Sequence, residues 1–208
     1  MQSADRPNRA TVLIVGYDSP QVDRLCLAEL LPHCHVVWLS PMSAASMDAR
    51  SLIVAALDAS PTSVHLVGHG VGGAMALEAA CARPSSVASL ALIDPRADYL
   101  LGSMGPMGRT VLQDPAHQPA PWRPVGQRMS LAILRRMAIP TLVVETSKAG
   151  RAEKLVSRRL HAIGRRSHYA LTEEQGAAET GGHSTASAVA VHINRRMQPS
   201  EDSQALAA

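Results

Sequence analysis

Apolar residues along this chain fall into short runs that alternate with segments of helical period. "ATVLIVG" at 10–16 is continuously apolar and rich in β-branched residues, the pattern of a strand covered on both faces. "SPQVDRLCLAELL" at 19–31 follows as a helix, with Ser19 placed to cap it and Pro20 suited to its first turn. The alternation continues with strands over 35–40, 63–68 and 86–94 and helices over 43–59 and 72–82. "IPTLVVE" at 139–145 reads as a fifth strand, followed by a helix near 150–162. "RRSHYAL" at 165–171 reads as a sixth strand, and "STASAVAVHINRRM" at 184–197 as a closing helix with an apolar stripe. Strands that alternate with helices predict an α/β domain, a mostly parallel sheet of about six strands with helices on both faces. Its crossovers should be right-handed, and its site should lie beyond the carboxyl ends of the strands.

The rhythm breaks once. Residues 95–138 are rich in Pro, Gly and Met and hold one amphipathic stretch, "GQRMSLAILRRM" at 126–137. A segment of this length between two strands reads as a lid or binding loop. Residues 1–9 and 198–208 read as disordered ends, leaving one domain over 10–197. No internal repeat is visible.

Composition narrows the class. Hydrophobic residues make up 46% and charged residues 18%, which is globular rather than disordered. Phe is absent and aromatics are 2%, so the core must be built from Leu, Val, Ile, Ala and Met. No apolar run reaches the roughly 18 residues of a membrane span. The start, "MQSADRPNRA", lacks an apolar signal region, so a soluble cytoplasmic protein without membrane contact is expected. Cys26, Cys34 and Cys81 are odd in number and form no CxxC, which reads as reduced thiols. The stretch His33-Cys34-His35 invites a metal, but alternating strand geometry puts Cys34 on the face opposite both histidines, so no metal is expected.

Charge is uneven. Residues 1–122 hold 7 basic and 10 acidic groups, and residues 123–208 hold 13 and 7. Basic pairs stand at Arg135-Arg136, Arg158-Arg159, Arg165-Arg166 and Arg195-Arg196. These are either solvated helix faces or a basic face that attracts an acidic partner such as a carrier protein. The shortage of aromatics to stack on bases argues against nucleic acid.

The chemistry gathers at "VHLVGHGVGGAMALEAA", 64–80, where a strand runs through Gly68-His69-Gly70-Val71-Gly72 into a small-residue helix. A glycine turn of this kind can also cradle a phosphate. The dinucleotide pattern, however, sits on the first strand, and this turn ends the third. The order resembles the nucleophile elbow, Gly-x-Ser-x-Gly, of the α/β-hydrolase superfamily, whose middle position is Ser, Cys or Asp. Here that position is Gly70. "SLALIDPRA" is similar to the strand after the family's elbow helix, and "IPTLVVE" to the strand that delivers its acid. The 95–138 insertion sits where the family's lid belongs. "GGHSTAS" at 181–187 is similar to the loop that presents the catalytic histidine, which maps to His183. The resemblance covers 10–197 and leaves the two leading strands of the full-size fold without a counterpart.

The resemblance implies an α/β-hydrolase fold with a short lid, and it implies roles residue by residue. Backbone N–H groups of Val71 and of Tyr17 or Asp18 would form the oxyanion hole. His183 would move the proton; its plainer reading is a surface loop histidine. The acid is open. Glu145 stands early, still inside its strand, and Lys148 after it carries the wrong charge. Asp94, at the end of the preceding strand, is slightly preferred, with a cap or loop salt bridge as its structural alternative. Glu179, four residues before His183, is a third candidate. His69 is expected beneath the elbow and His65 packed within its strand. Met104, Met107, His117, Trp122 and Met129 would line an apolar, adaptable pocket from the insertion, with core filling as the alternative for the methionines.

The elbow apex is held at φ > 0, which costs a non-glycine residue about 1–3 kcal/mol and glycine little. Gly70 therefore relieves strain while removing the atom that attacks a carbonyl. Three functions are compatible with this. The favoured one is a non-hydrolytic enzyme using His183 and the oxyanion hole for cyclisation, isomerisation or a lyase step on an acyl or polyketide-like substrate. The second is a serine ester or thioester hydrolase inactivated by glycine in place of serine at position 70. The third is a non-catalytic ligand- or partner-binding protein. None of them requires a cofactor.

Overall fold

Period-two patterning in the strands decides which residues face which helix layer. The computed structural model describes residues 9–16, 27–39, 49–96, 110, 135–172 and 185–197. Its strands are β1 (Thr11–Val15), β2 (His35–Leu39), β3 (Val64–His69), β4 (Val87–Ile93), β5 (Thr141–Thr146) and β6 (Ser167–Thr172). They form one sheet in the order β2-β1-β3-β4-β5-β6, with every neighbouring pair parallel. The helices are α1 (Ala49–Ala59), α2 (Val71–Ala82), α3 (Arg151–Ile163) and α4 (Thr185–Met197). A short 3-10 turn at Pro84–Ser86 leads into β4.

Alternate strand residues feed two separate cores. Leu13, Val15, Leu66, Leu90, Leu92 and Val143 pack with α1, α2 and α3 on one face. Val12, Ile14, Val67, Ala91, Leu142 and Val144 pack with α4 and with Leu27 and Leu31 on the other. In β1 the two sets interleave residue by residue, which is why that strand reads as an unbroken apolar run. Helix α2 is buried almost all round; its glycines and alanines let it lie directly on the sheet. Helix α3 buries only Ala152, Val156, Ser157 and Leu160 and turns its charged side to solvent.

The expected strands and helices are present where they fall on described residues, with ends moved by one or two positions. Strand β4 stops at Ile93 rather than Asp94, because Asp94 takes a positive φ of 42°. Of the helix expected over 19–31, residues 27–30 are described and helical. The insertion is described only at 95–96, 110 and 135–138, and both chain ends lie largely outside the described residues.

All strands point the same way, so their carboxyl ends share one edge. The order reverses at β1, which has β2 on one side and β3 on the other. That reversal opens a crevice beyond the ends of β1 and β3, where ligands of parallel α/β sheets bind. Val15 of β1 is in register with Gly68 of β3, so the turn after β3 stands at this crevice.

Candidate active site

The turn after β3 is built by close backbone contacts. A Cβ on Gly72 would stand 2.3 Å from the Val15 carbonyl oxygen and 2.7 Å from its carbon. A Cβ on Gly68 would stand 2.6 Å from Gly73 Cα and 2.7 Å from the Gly72 oxygen. Both glycines are therefore demanded by the contact of α2 with β1 and β3. Gly70, between them, has φ 56° and ψ −122°, a conformation that an L side chain rarely adopts. A Cβ there would meet nothing within 4 Å among the described residues. The apex thus keeps a positive-φ backbone, which glycine adopts at little cost, and among the described residues nothing fills the place of a side chain.

Neighbouring strands hold that backbone in place. Gly70 N–H donates to the Ile93 carbonyl at 2.9 Å, and the Gly70 carbonyl accepts from Arg96 N–H at 2.9 Å and Gly73 N–H at 3.1 Å. Val71 is the first residue of α2, so its N–H has no acceptor within the helix and lies at the positive end of the helix dipole. This is the backbone donor that the resemblance to α/β-hydrolases leads one to expect in an oxyanion hole.

Asp94 sits one residue beyond β4, 8% exposed, and is the one non-glycine positive-φ position among the described residues. Its two carboxylate oxygens accept from Thr146, Oδ1 from the backbone N–H at 2.8 Å and Oδ2 from the hydroxyl at 2.6 Å. Burial pushes the Asp94 carboxyl above its ordinary range. The two Thr146 bonds and the nearby His69 imidazole pull it back, and Glu153 adds a smaller upward push. A carboxylate has about four acceptor sites. Asp94 thus keeps capacity for a further donor.

Glu145 is placed differently. It is buried inside β5, accepts from the Tyr169 hydroxyl on β6, and lies 3.6 Å from Arg158 Nε on α3. Its carboxylate is occupied between the edge strand and a surface helix. Arg96, two residues after Asp94, pairs with Glu153 in the first turn of α3 at 3.3 Å. His69 is half-buried at the end of β3, close enough to Asp94 to act on its charge. His65 is buried in β3 and bonds Ser89 across the β3–β4 pair at 2.9 Å, as a packed strand histidine should.

The structure therefore brings Gly70, Val71, His69 and Asp94 together at the carboxyl edge and leaves Glu145 apart from them. His183, Tyr17, Asp18, Glu179, Met104, Met107, His117, Trp122 and Met129 lie outside the described residues. Sequence reasoning overlooked Thr146. A search for a carboxylate after β5 passes over a hydroxyl, although that hydroxyl is what holds Asp94. A small apolar cleft lined by Leu77, Leu92, Met137 and Leu160 involves none of the candidate site residues. No group of three or more potential metal ligands exists among the described residues, and no described helix is long and apolar enough to cross a membrane.

No protein-family model and no curated relative matches the sequence. Solved structures do. Est1E from Butyrivibrio proteoclasticus superposes with a TM-score of 0.62 at 11% identity, covering 93% of this chain and 91% of that one. An alpha/beta hydrolase from Sphaerobacter thermophilus gives 0.55 at 16%, covering 91% and 93%. The thioesterase domain from the curacin biosynthetic pathway gives 0.54 at 16%, covering 92% and 89%.

Proposed function

The chain has the α/β-hydrolase fold, and on that frame we propose an enzyme without a covalent nucleophile that performs acid/base chemistry on a carbonyl substrate. The carbonyl sits over Gly70, polarised by Val71 N–H and by a second N–H at Tyr17 or Asp18. His183 transfers the proton, and Asp94, tethered by Thr146, orients it. Cyclisation, isomerisation or a lyase step on an acyl or polyketide-like compound fits such a site, because each proceeds through an enolate or oxyanion without an acyl-enzyme. The observation that carries this reading is the apex itself. Gly70 keeps φ 56° and ψ −122° under three backbone hydrogen bonds, yet offers no atom able to attack.

The open space at the apex favours one second reading. A Cβ fits there without contact to any described residue, so the described part of the site accepts a serine in shape. The chain would then be an ester or thioester hydrolase silenced by a single residue. The test is hydrolysis of short-chain nitrophenyl esters by the protein and by Gly70→Ser, each with and without His183→Ala. Both readings assemble His183, Asp94 and the oxyanion hole, so His183-dependent turnover in Gly70→Ser is expected under either. The proposal further expects the protein with Gly70 in place to exchange the α-proton of a short acyl thioester about 10²–10⁴-fold above background, a rate lost in His183→Ala. No such exchange with Gly70 in place, together with strong turnover in Gly70→Ser, would overturn it in favour of the silenced hydrolase.

A further inference from the structure

Helix α3 carries a basic stripe that begins at the rim of the candidate site. Arg151, Lys154, Arg158 and His161 recur at intervals of three and four, the spacing of a single helix face, and Arg165 follows in the turn beyond the end of the helix. All are exposed except Lys154, which is half-buried. Glu145 and Glu153, the acidic residues described on β5 and α3, are both already paired. Glu145 is buried against Tyr169, and Glu153 pairs with Arg96. Glu145 also lies 3.6 Å from Arg158, so Arg151, Lys154, His161 and Arg165 are the cations that face no carboxylate among the described residues. Beside the stripe, Leu171 on the terminal strand β6 is 71% exposed. Tyr169, two residues earlier on the same face of β6, touches the His161 ring at 5.5 Å. Strand and helix run in opposite directions. Leu171 is thus level with the first turns of α3, near Arg151 and Lys154. Arg151 follows by five residues the Thr146 that holds Asp94.

We propose that this surface docks an acidic amphipathic helix of a separate carrier-type protein, which presents the acyl group it bears to the elbow. Carboxylates of that helix meet Arg151, Lys154 and Arg165, and one of its apolar side chains covers Leu171. Charge complementarity argues for this occupant, and the mixed apolar and cationic surface fits an amphipathic acidic helix better than a bare polyanion. The inference rests on the functional reading above for the nature of the cargo, but not for the docking itself.

The probe is a purified bacterial acyl carrier protein in its holo form, titrated by fluorescence anisotropy at about 50 mM and about 300 mM NaCl. Saturable binding is expected, weakened about tenfold or more by the higher salt. Arg151→Glu with Lys154→Glu should weaken it by a similar factor, and Leu171→Ala by less. The charge-matched control, Arg195→Glu with Arg196→Glu on α4, should leave binding within about twofold, as should His183→Ala. Thermal melts identify any variant that fails to fold; Leu171→Lys then serves as the second probe of the face. Absence of saturable binding, or equal loss in both charge-reversed pairs, overturns the proposal. So does binding of a single-stranded oligonucleotide through the same residues without binding of the carrier protein. Persistent docking in a protein inert towards every carbonyl substrate would sink the functional reading alone.

Discussion

Alanine at Gly70 and at Gly72 should destabilise the protein for different reasons and by different amounts. At Gly70 the added methyl touches nothing within 4 Å among the described residues, so the cost they impose is backbone strain alone. Holding a non-glycine residue at φ 56° costs about 1–3 kcal/mol. Restricting the unfolded chain returns roughly 0.4–1 kcal/mol of that. The expected net loss is about 1–2 kcal/mol, which for a domain near 200 residues lowers Tm by about 2–8 °C. At Gly72 the same methyl would stand 2.3 Å from a carbonyl oxygen of β1, a central strand with neighbours on both sides. Backbone cannot yield there as a flexible side chain would, so the loss should reach about 3 kcal/mol or prevent folding. Gly68→Ala, which meets α2 backbone at 2.6 Å, belongs with Gly72→Ala. Urea unfolding monitored by circular dichroism gives the three values on one scale. Gly70→Ser should match Gly70→Ala, since its hydroxyl enters the same open space. Equal losses at Gly70 and Gly72, or a gain in stability at Gly70, would refute the argument. Either would mean that the turn relaxes out of its positive φ despite the bonds to Ile93 and Arg96.

Other perturbations separate the roles of the buried groups. Thr146→Val keeps shape but removes the hydroxyl bond to Asp94, and should cost about 1–3 kcal/mol in urea titrations. Asp94→Asn should lower any proton-transfer activity at least about tenfold, whereas Glu145→Gln should lower stability and leave the pH profile of activity in place. His192 on α4 is buried, and burial, aided by Arg196 on the same helix, His168 on β6 and His65 on β3, holds its imidazole down at about 4; a bond to the Pro140 carbonyl only partly opposes this. The unfolded chain therefore takes up a proton at higher pH than the folded one. The stability His192 contributes is complete above pH 6.5 and is lost by about 3 kcal/mol as pH falls to 4. His192→Leu should flatten that part of the pH dependence, measured as urea midpoints at about pH 7.5 and about pH 4.5.

Local patterns were legible in the sequence because local rules produce them. The run 10–16 is apolar throughout because β1 is covered on both faces, and Gly68 and Gly72 stand where α2 meets β1 and β3 too closely for a Cβ. The site was only half legible, because its remaining contacts join residues distant along the chain. Asp94 and Thr146 lie 52 positions apart and meet only when β4 pairs with β5. Glu145 looked like an acid candidate by position, and only the packing of β6 and α3 shows its carboxylate occupied by Tyr169 and Arg158.

The apex is where the two kinds of information separate. What sets the shape of the turn is its surroundings: Gly68 and Gly72 pressed against backbone, and Gly70 bonded at both its N–H and its carbonyl to the end of β4 and the loop beyond. None of these contacts involves a side chain at position 70. The described part of the fold therefore places no demand on which residue stands at the apex beyond tolerance of its positive φ, and glycine tolerates it best. Loss of a nucleophile at this position would leave the elbow, the Val71 N–H and the Asp94–Thr146 tether standing. The shape of the turn and the chemistry of its apex residue are thus separable in this fold.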